Sequence, residues 1–188
     1  MRYRATHLPM LALVVALVVS ADPVVAVTPF RVSGGADPRL GPAFATVVEA
    51  DLKAAGLSVR TEDDLRSENW GKIKGASFLV VGSIVKLGPR LAITCQLVSV
   101  SDKTAVASAA LKSWNERQDL ANAVLKGLEK TAPANLSLLQ VDEALMTAWA
   151  EALAAVQSGD PAVAKKLVAD VAKRWPAFTP AVERLAQL

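Results

Sequence analysis

Histidine and cysteine are almost absent from the sequence. His7 is the single histidine among 188 residues, and Cys95 is the single cysteine. Histidine is the usual side chain for proton transfer near neutral pH and the commonest metal ligand in proteins. Because His7 lies in a segment with the pattern of a removable leader, the mature chain would contain no imidazole. This excludes Ser-His-Asp and Cys-His catalysis and nearly all zinc and non-haem iron sites, so we expect no enzymatic activity, no metal and no cofactor.

The start of the chain has the pattern of an export signal. Arg2 and Arg4 precede the apolar segment 8–21, which would span about 21 Å as a helix, less than the roughly 30 Å of a bilayer core. A basic start, a short apolar run and small residues at its end are typical of a secretory signal peptide. We therefore predict cleavage after Ala21, a periplasmic mature protein and no integral membrane span after cleavage. Cleavage after Ala26 and retention of the leader as an anchor are the alternatives.

An excess of charge of either sign is also missing from the mature chain. The whole sequence has 21 Lys and Arg against 18 Asp and Glu, a formal charge of +3, and the leader holds two of the arginines and no acid. Without the leader the net charge is close to +1, which is not the large positive charge typical of proteins that bind nucleic acid. One cysteine cannot form an internal disulfide, and we expect Cys95 to be a buried, inert thiol.

Strand and helix patterns alternate through the first part of the mature chain. A β-branched run at 24–28 predicts a short strand. Asp37-Pro38 predicts a helix start, because aspartate caps helix N-termini and proline fits the first helical position. A short strand at 57–60 and a short helix at 62–70 follow.

The strongest strand signal predicts a three-stranded meander. An apolar run at 78–85 ends in a Gly-Pro turn. The next segment, 91–98, alternates apolar and polar residues with the period of a half-buried strand, and Cys95 falls on its apolar side. Residues 105–111 complete the meander, and a further helix is predicted to start at 115 or 119.

The rest of the sequence is predicted to be helical. A boundary at 131–135 is followed by an alanine-rich helix over 138–157. A tight turn at 158–161 leads into a second helix over 162–174, which ends at a Trp-Pro pair. Pro180 opens a short third helix.

Ordered short motifs in the first part resemble a known family. The motifs are VAVTPF at 25–30, GASFLVVGSI at 75–84 and LVSV at 97–100. In this order they resemble the periplasmic α/β domain shared by TolB amino-terminal domains, CsgG-type curli-secretion proteins and related envelope proteins, with Ser77 and Ser99 where those families usually have aspartate. The resemblance covers about 24–133 and implies a binding or assembly module without a shared enzymatic activity. Pore-forming CsgG-type members carry a lipobox cysteine, which this sequence lacks, so we expect no pore.

A second resemblance covers 136–188. The residues that fall at the spacing of a tetratricopeptide helical hairpin are Gly159, Asp160, Ala164, Leu167, Val171, Pro176, Phe178, Ala181 and Leu185. The segment has room for about one repeat, fewer than the three that a free-standing solenoid needs. Its apolar faces must therefore pack on the sheet domain, on another copy or on a partner.

Six residues are candidates for partner contacts. Trp70 and Trp114 flank the sheet segment and are either core residues or contact anchors, since tryptophan is enriched at interface hot spots. The other four are basic residues of the second hairpin helix, namely Lys165, Lys166, Lys173 and Arg174. They form either a docking patch for an acidic partner or a basic end that complements the helix dipole.

These patterns predict an α/β protein with a small mixed sheet and packed helices, followed by a C-terminal tetratricopeptide-like hairpin. The expected organisation is a signal peptide over 1–21, an α/β domain over 22–133 and the hairpin over 136–188. We expect an exported, non-enzymatic periplasmic module for protein–protein binding or scaffolding, whose partner is another envelope protein or a second copy and not nucleic acid. The alternatives are a component of an outer-membrane secretion or transport assembly and, from another class, a hydrolase that uses Ser and Lys or carboxylates.

Overall fold

The computed structural model describes residues 22–61, 75–134 and 136–188. The predicted leader with its cleavage point at Ala21, the short helix at 62–70 and Trp70 lie outside these residues. The strands β1 to β6 of the described part are Val24–Val27, Arg31–Ser33, Ser58–Thr61, Phe78–Leu87, Arg90–Ser99 and Ala105–Leu111. The helices α1 to α5 are Leu40–Ala54, Arg117–Gly127, Glu143–Ser158, Pro161–Arg174 and Thr179–Leu185. Helix α1 lies between β2 and β3, and the other four helices follow β6.

The strands form one mixed sheet in the order β3-β1-β4-β5-β6, in which β2 also pairs with β4. Strand β1 is parallel to β3 on one side and to β4 on the other, with Val25 opposite Phe78. Strands β4, β5 and β6 are antiparallel neighbours, which confirms the predicted meander. The predicted α/β class is confirmed, and β4, ten residues long, is the central strand.

A break between β1 and β2 shapes the middle of the sheet. Both strands pair in parallel with β4, β1 along its first half and β2 along its second half. Between them, Thr28 donates from N and from Oγ1 to the Val80 carbonyl at 3.0 and 3.1 Å, and Pro29 has no N–H to continue the pairing. Phe30 then turns into the core above Gly82, where a Cβ would come within 2.4 Å of the Phe30 ring. Glycine is therefore needed at 82 because the ring approaches the backbone so closely.

Helices α1 and α2 cover one face of the sheet. Alternate residues of β5, such as Ile93 and Cys95, point to this face and are buried, which confirms the predicted register and the buried thiol. Phe44 of α1 lies in the middle of the core. Its ring centroid is 4.9 Å from that of Phe30, edge to face, and 5.4 Å from that of Trp114.

Helices α3 and α4 form the predicted hairpin, and the hairpin packs on α1. Trp149 of α3 is buried and donates from Nε1 to Thr46 Oγ1 of α1 at 2.7 Å. Its ring meets the Phe178 ring edge-on at 5.3 Å. The buried side chains of α1, of the hairpin and of the sheet face that α1 covers belong to one contiguous apolar core, while Ala26 and Leu79 of the sheet form a separate small cluster. Of the three supports left open for the hairpin, the structure shows packing on the sheet domain, while its tetratricopeptide character stays a prediction.

The predicted start of α1 is wrong by a few residues. The helix begins at Leu40, with no side-chain cap, and not at Asp37-Pro38. The Asp37 carboxylate instead accepts from the Arg39 N–H at 2.9 Å and pairs with the Arg39 guanidinium at 2.6 Å. It therefore closes a turn that precedes the helix, which aspartate favours as readily as a cap.

The predicted start of the hairpin at 138 is wrong for a related reason. Helix α3 begins at Glu143, after an extended connector. In this connector the Val141 N–H donates to Asn115 Oδ1 at 2.7 Å, which ties the backbone to the start of α2. Asp142 then caps α3 by accepting from the N–H three residues further on, at 2.7 Å. The connector backbone is thus committed to other partners and cannot extend the helix.

Candidate partner-binding site

The four basic candidates, termed here the basic face of α4, lie on the solvent side of that helix. All four side chains are exposed, and within the described part of the protein none of them pairs with a carboxylate. Lys166 and Lys173 stand in one row along the helix, with Lys165 and Arg174 on either side of that row. The Arg174 guanidinium carbon lies 4.5 Å from the centroid of the Trp175 ring. The four residues therefore lie on the solvent-facing half of α4, and their role as partner contacts stays a prediction.

Helix α4 exposes this face because its opposite side is anchored. Asp160 caps the helix, accepting from the N–H groups of Ala162 and Val163 at 3.1 Å each, and Pro161 occupies the first turn. The buried residues of α4 are Ala164, Val168 and Val171. With this side in the core, helical periodicity directs the basic side chains outward.

The helix dipole accounts for two of the four basic residues. Lys173 and Arg174 lie in the last turn, where the partial negative charge of a helix C-terminus favours cations. Lys165 and Lys166 lie in the second turn of this 14-residue helix, where the same field does not favour them. Val163, which is 47% exposed, lies one turn from Lys166 and offers an apolar contact beside the charges. The two lysines are thus not explained by the stability of α4.

Trp114 does not belong to an exposed surface. Its side chain is 8% exposed and packs against Phe44, so the structure corrects the contact-anchor alternative in favour of the core alternative. The physical reason is its position between β6 and α2, where the sheet and α1 close over the ring. Trp70 lies outside the described residues. The structure therefore brings together four of the six candidates and separates Trp114 from them.

A buried ion pair that the sequence analysis missed joins three parts of the fold. Arg117 donates from Nε to Asp51 Oδ2 at 2.5 Å, from Nη2 to the Leu139 carbonyl at 2.6 Å and from Nη1 to the Trp114 carbonyl. It links the start of α2 to α1 and to the connector before α3. Burial raises the pKa of Asp51 above its ordinary value, against the opposing effect of Arg117. The sequence does contain an indication of this ion pair. Asp51 follows Val47 by four residues and so lies on the apolar side of α1, where a carboxylate needs a buried partner.

Two clefts lie beside α1, and a shallow depression lies on the other face of the sheet. The first cleft, of about 310 Å³, lies between α1, α3 and α5, and the half-buried Leu153 and Val156 of α3 line it. The second, of about 180 Å³, adjoins the buried ion pair. The depression, of about 590 Å³, includes Ser83 and Thr94, whose hydroxyl oxygens are 2.8 Å apart.

Metal-binding clusters and membrane-spanning helices are both absent from the part of the protein that the structure describes. No group of three or more His, Cys, Asp or Glu side chains there is placed to bind a metal ion. No helix among the same residues is both long and apolar enough to cross a bilayer.

Several solved structures of bacterial proteins are similar to this protein. The PelC dodecamer from Paraburkholderia phytofirmans is 19% identical with a TM-score of 0.41, over 58% of this chain and 89% of that one. TolB from Acinetobacter baumannii is 18% identical with a TM-score of 0.41, over 57% of this chain and 28% of that one. Lipoprotein GNA1162 from Neisseria meningitidis is 14% identical with a TM-score of 0.40, over 57% of this chain and 95% of that one. The sequence matches no family model and no curated protein.

Proposed function

We propose that this protein is an exported, non-enzymatic binding module of the bacterial cell envelope that docks an acidic protein partner on the basic face of α4. The observation that carries the proposal is the pair Lys165 and Lys166. They are adjacent, exposed and without a carboxylate partner in the described residues, at a position where the helix dipole does not favour them. Opposite charge on a partner speeds encounter and fixes orientation. Val163 beside them supplies the apolar contact that the centre of an interface needs.

The way in which α4 is held supports a docking role. Val168 fixes its inner side in the core, and the Trp149–Thr46 hydrogen bond anchors the neighbouring α3 to α1. A recognition face on a rigid element presents its side chains without a large ordering cost on binding. We infer that the hairpin is a single tetratricopeptide-type unit whose inner side is covered by α1 and whose outer side receives the partner.

The proposed compartment rests on the leader pattern, and the non-enzymatic role rests on composition. A basic start, a short apolar run and Ala21 at its end favour export and cleavage. Loss of His7 with the leader removes the usual proton-transfer group. The intact mass of the protein from the envelope fraction should lack residues 1–21. An uncut mass or a cytoplasmic location would contradict export.

Charge reversal on α4 tests the docking face. Lys165→Glu/Lys166→Glu should lose capture of the partner from envelope extracts, while the free energy of unfolding stays within about 0.5 kcal/mol of wild type because both side chains are exposed. The matched control is Arg90→Glu/Lys112→Glu, the same charge change on exposed residues outside α4. Capture by the wild type should also weaken with rising ionic strength. Equal capture by the two double variants would mean that α4 is not the docking face.

A further inference from the structure

Strand β6 forms one edge of the sheet, and within the described part of the protein no strand pairs with its outer side. Proteins usually protect such an edge with proline, charged side chains, bulges or a covering segment, because its free N–H and C=O groups can pair with another chain. Strand β6 contains no proline and no charged residue. A bulge at Val106 interrupts the start of the strand, and Lys112 follows its end. Residues 107–111 between these two points therefore form a regular and neutral edge.

The pairing between β5 and β6 shows which backbone groups point outward from this edge. The Ser99 N–H of β5 donates to the Thr104 carbonyl, on the β6 side, at 2.9 Å. Because bonding alternates along an antiparallel strand, the odd-numbered residues of β5 bond to β6, and their partners in β6 are odd-numbered as well. Ser108 and Ala110 therefore direct their N–H and C=O groups away from the sheet.

Helix α2 runs back over β6 and is fixed near both ends of the strand. Glu116, at the start of the helix, accepts a hydrogen bond from the Lys112 N–H at 2.6 Å. At the other end of the helix, a Cβ added to Gly127 would lie 2.9 Å from the Ala107 Cβ. The helix and the strand are therefore antiparallel, and the outward N–H of Lys112 is already occupied.

The exposed side of α2 carries one charge of each sign. Asp119 and Lys126 lie two turns apart on that side, and neither pairs with an opposite charge within the described residues. Their midpoint lies about 7 Å along the helix from Gly127. Ala109 lies about 7 Å along the strand from Ala107, the residue that Gly127 approaches. The middle of this charged pair is therefore level with Ala109, the centre of the regular edge.

We propose that two copies of this protein pair through β6 in antiparallel orientation about a twofold axis at Ala109, so that their sheets join into one. In this register Ser108 of one copy lies opposite Ala110 of the second, and the outward N–H and C=O groups of both residues find partners. The same axis sets the two α2 helices side by side in opposite directions. Asp119 of one copy then lies towards Lys126 of the other.

A second copy fits this edge because both of its features are self-complementary. A twofold rotation at Ala109 pairs the neutral segment with itself and sets opposite charges of the two α2 helices side by side. An axis at Ser108 would bring the bulge at Val106 into the pairing, and an axis at Ala110 would need the Lys112 N–H, which already has an acceptor. The basic face of α4 contributes nothing to this surface, so the dimer and the proposed docking function are tested separately.

Sedimentation equilibrium of the purified protein over a range of concentrations tests the dimer. Ala110→Lys should raise the dissociation constant about fivefold, because it brings two lysines close together across the paired strands. The matched control is Ala92→Lys, the same change at an exposed position on the same face of the inner strand β5, which should leave the dissociation constant unchanged. A wild-type protein that stays monomeric up to about 1 mM, or equal dissociation constants for the two variants, would overturn the proposal.

Two further changes test the backbone pairing and the position of the axis. Ser108→Pro removes an outward N–H and leaves the bonds to β5 in place, so it should raise the dissociation constant at least about tenfold. Ala110→Lys covers the case in which the proline variant does not fold. Asp119→Lys should weaken the dimer, and Asp119→Lys/Lys126→Asp should restore it, because opposite charges meet again. A wild-type dissociation constant in folded Ser108→Pro would refute the pairing through β6, and a double variant no tighter than Asp119→Lys would refute the axis at Ala109.

Discussion

Asp51→Ala should cost far more stability than an ordinary substitution on a helix. The variant would leave the Arg117 guanidinium, 2% exposed, with two carbonyl acceptors and no carboxylate. Removing one partner of a buried ion pair costs about 3–5 kcal/mol, because an uncompensated charge remains in the interior. Total stabilities of single domains are about 5–15 kcal/mol. The variant should therefore lose about a third of the free energy of unfolding.

Thermal and denaturant unfolding, followed by tryptophan fluorescence, measure this loss. The midpoint temperature should fall by about 10 °C, at about 2–4 °C per kcal/mol for a protein of this length. Asp170→Ala, on the exposed side of α4, is the control and should change the stability by less than about 0.5 kcal/mol. Asp51→Ala/Arg117→Met should cost about 1–3 kcal/mol less than the sum of its two single variants, since each single variant breaks the same pair. A loss below about 1 kcal/mol for Asp51→Ala, or full additivity, would refute the coupling of these side chains.

The same carboxyl group should make stability depend on pH. Burial raises the pKa of Asp51 in the folded protein above its ordinary value of 3.8, so the folded state binds this proton more tightly than the unfolded state. The stabilisation from this group is fully present below the unfolded pKa and is lost as the pH rises through the folded pKa. Relative to Asp51→Asn, which does not titrate, the wild type should therefore gain stability as the pH falls from neutral towards the ordinary value. A constant difference between the two proteins over that range would contradict the direction of the shift.

The Cys95 thiol, whose pKa burial raises to about 12, should react with a thiol reagent only after denaturant is added, and fast labelling of the native protein would contradict its place in the core. Gly82→Ala should lower the free energy of unfolding by about 1–3 kcal/mol, because the new methyl group would overlap both the Thr94 carbonyl oxygen and the Phe30 ring, and a neutral effect in a denaturant titration would contradict this close packing at 82. Val168→Ala should lower it by about 2 kcal/mol, more than Leu167→Ala, because Val168 is fully buried and Leu167 only half-buried; the opposite ranking would contradict the described orientation of α4.

The regular elements could be predicted because their signals are local. The alternation at 91–98 fixed which side of β5 faces the core, and Cys95 is buried as that pattern requires. Helix boundaries were less predictable, because a capping residue has more than one possible partner. Asp37 was expected to start α1 but closes a turn with Arg39. Periodicity places a side chain on a face and does not show which neighbouring donor it meets.

The candidate sites also differ in how far the sequence could predict them. The basic residues of α4 could be grouped from helical spacing alone, because one element carries all of them. The pair Arg117–Asp51 spans 66 residues, and the cleft between α1, α3 and α5 brings α1 against two helices from the other end of the sequence. Such contacts depend on how the elements pack. Trp114 shows the same limit, since its sequence position was compatible with both the core and the surface.

The position of β1 between β3 and β4 has a consequence for how the protein folds. Strands β4, β5 and β6 follow one another through short turns, so this ribbon can form early from contacts close in sequence. The first strand reaches β4 across 52 residues, as between Thr28 and Val80, and closing that loop costs entropy before any contact compensates for it. Until β1 docks, one edge of β4 has unpaired backbone groups that a strand from another molecule can occupy. A change that slows this docking without weakening the finished core should therefore lower the yield of refolding through aggregation, while the molecules that do fold keep their full resistance to denaturant.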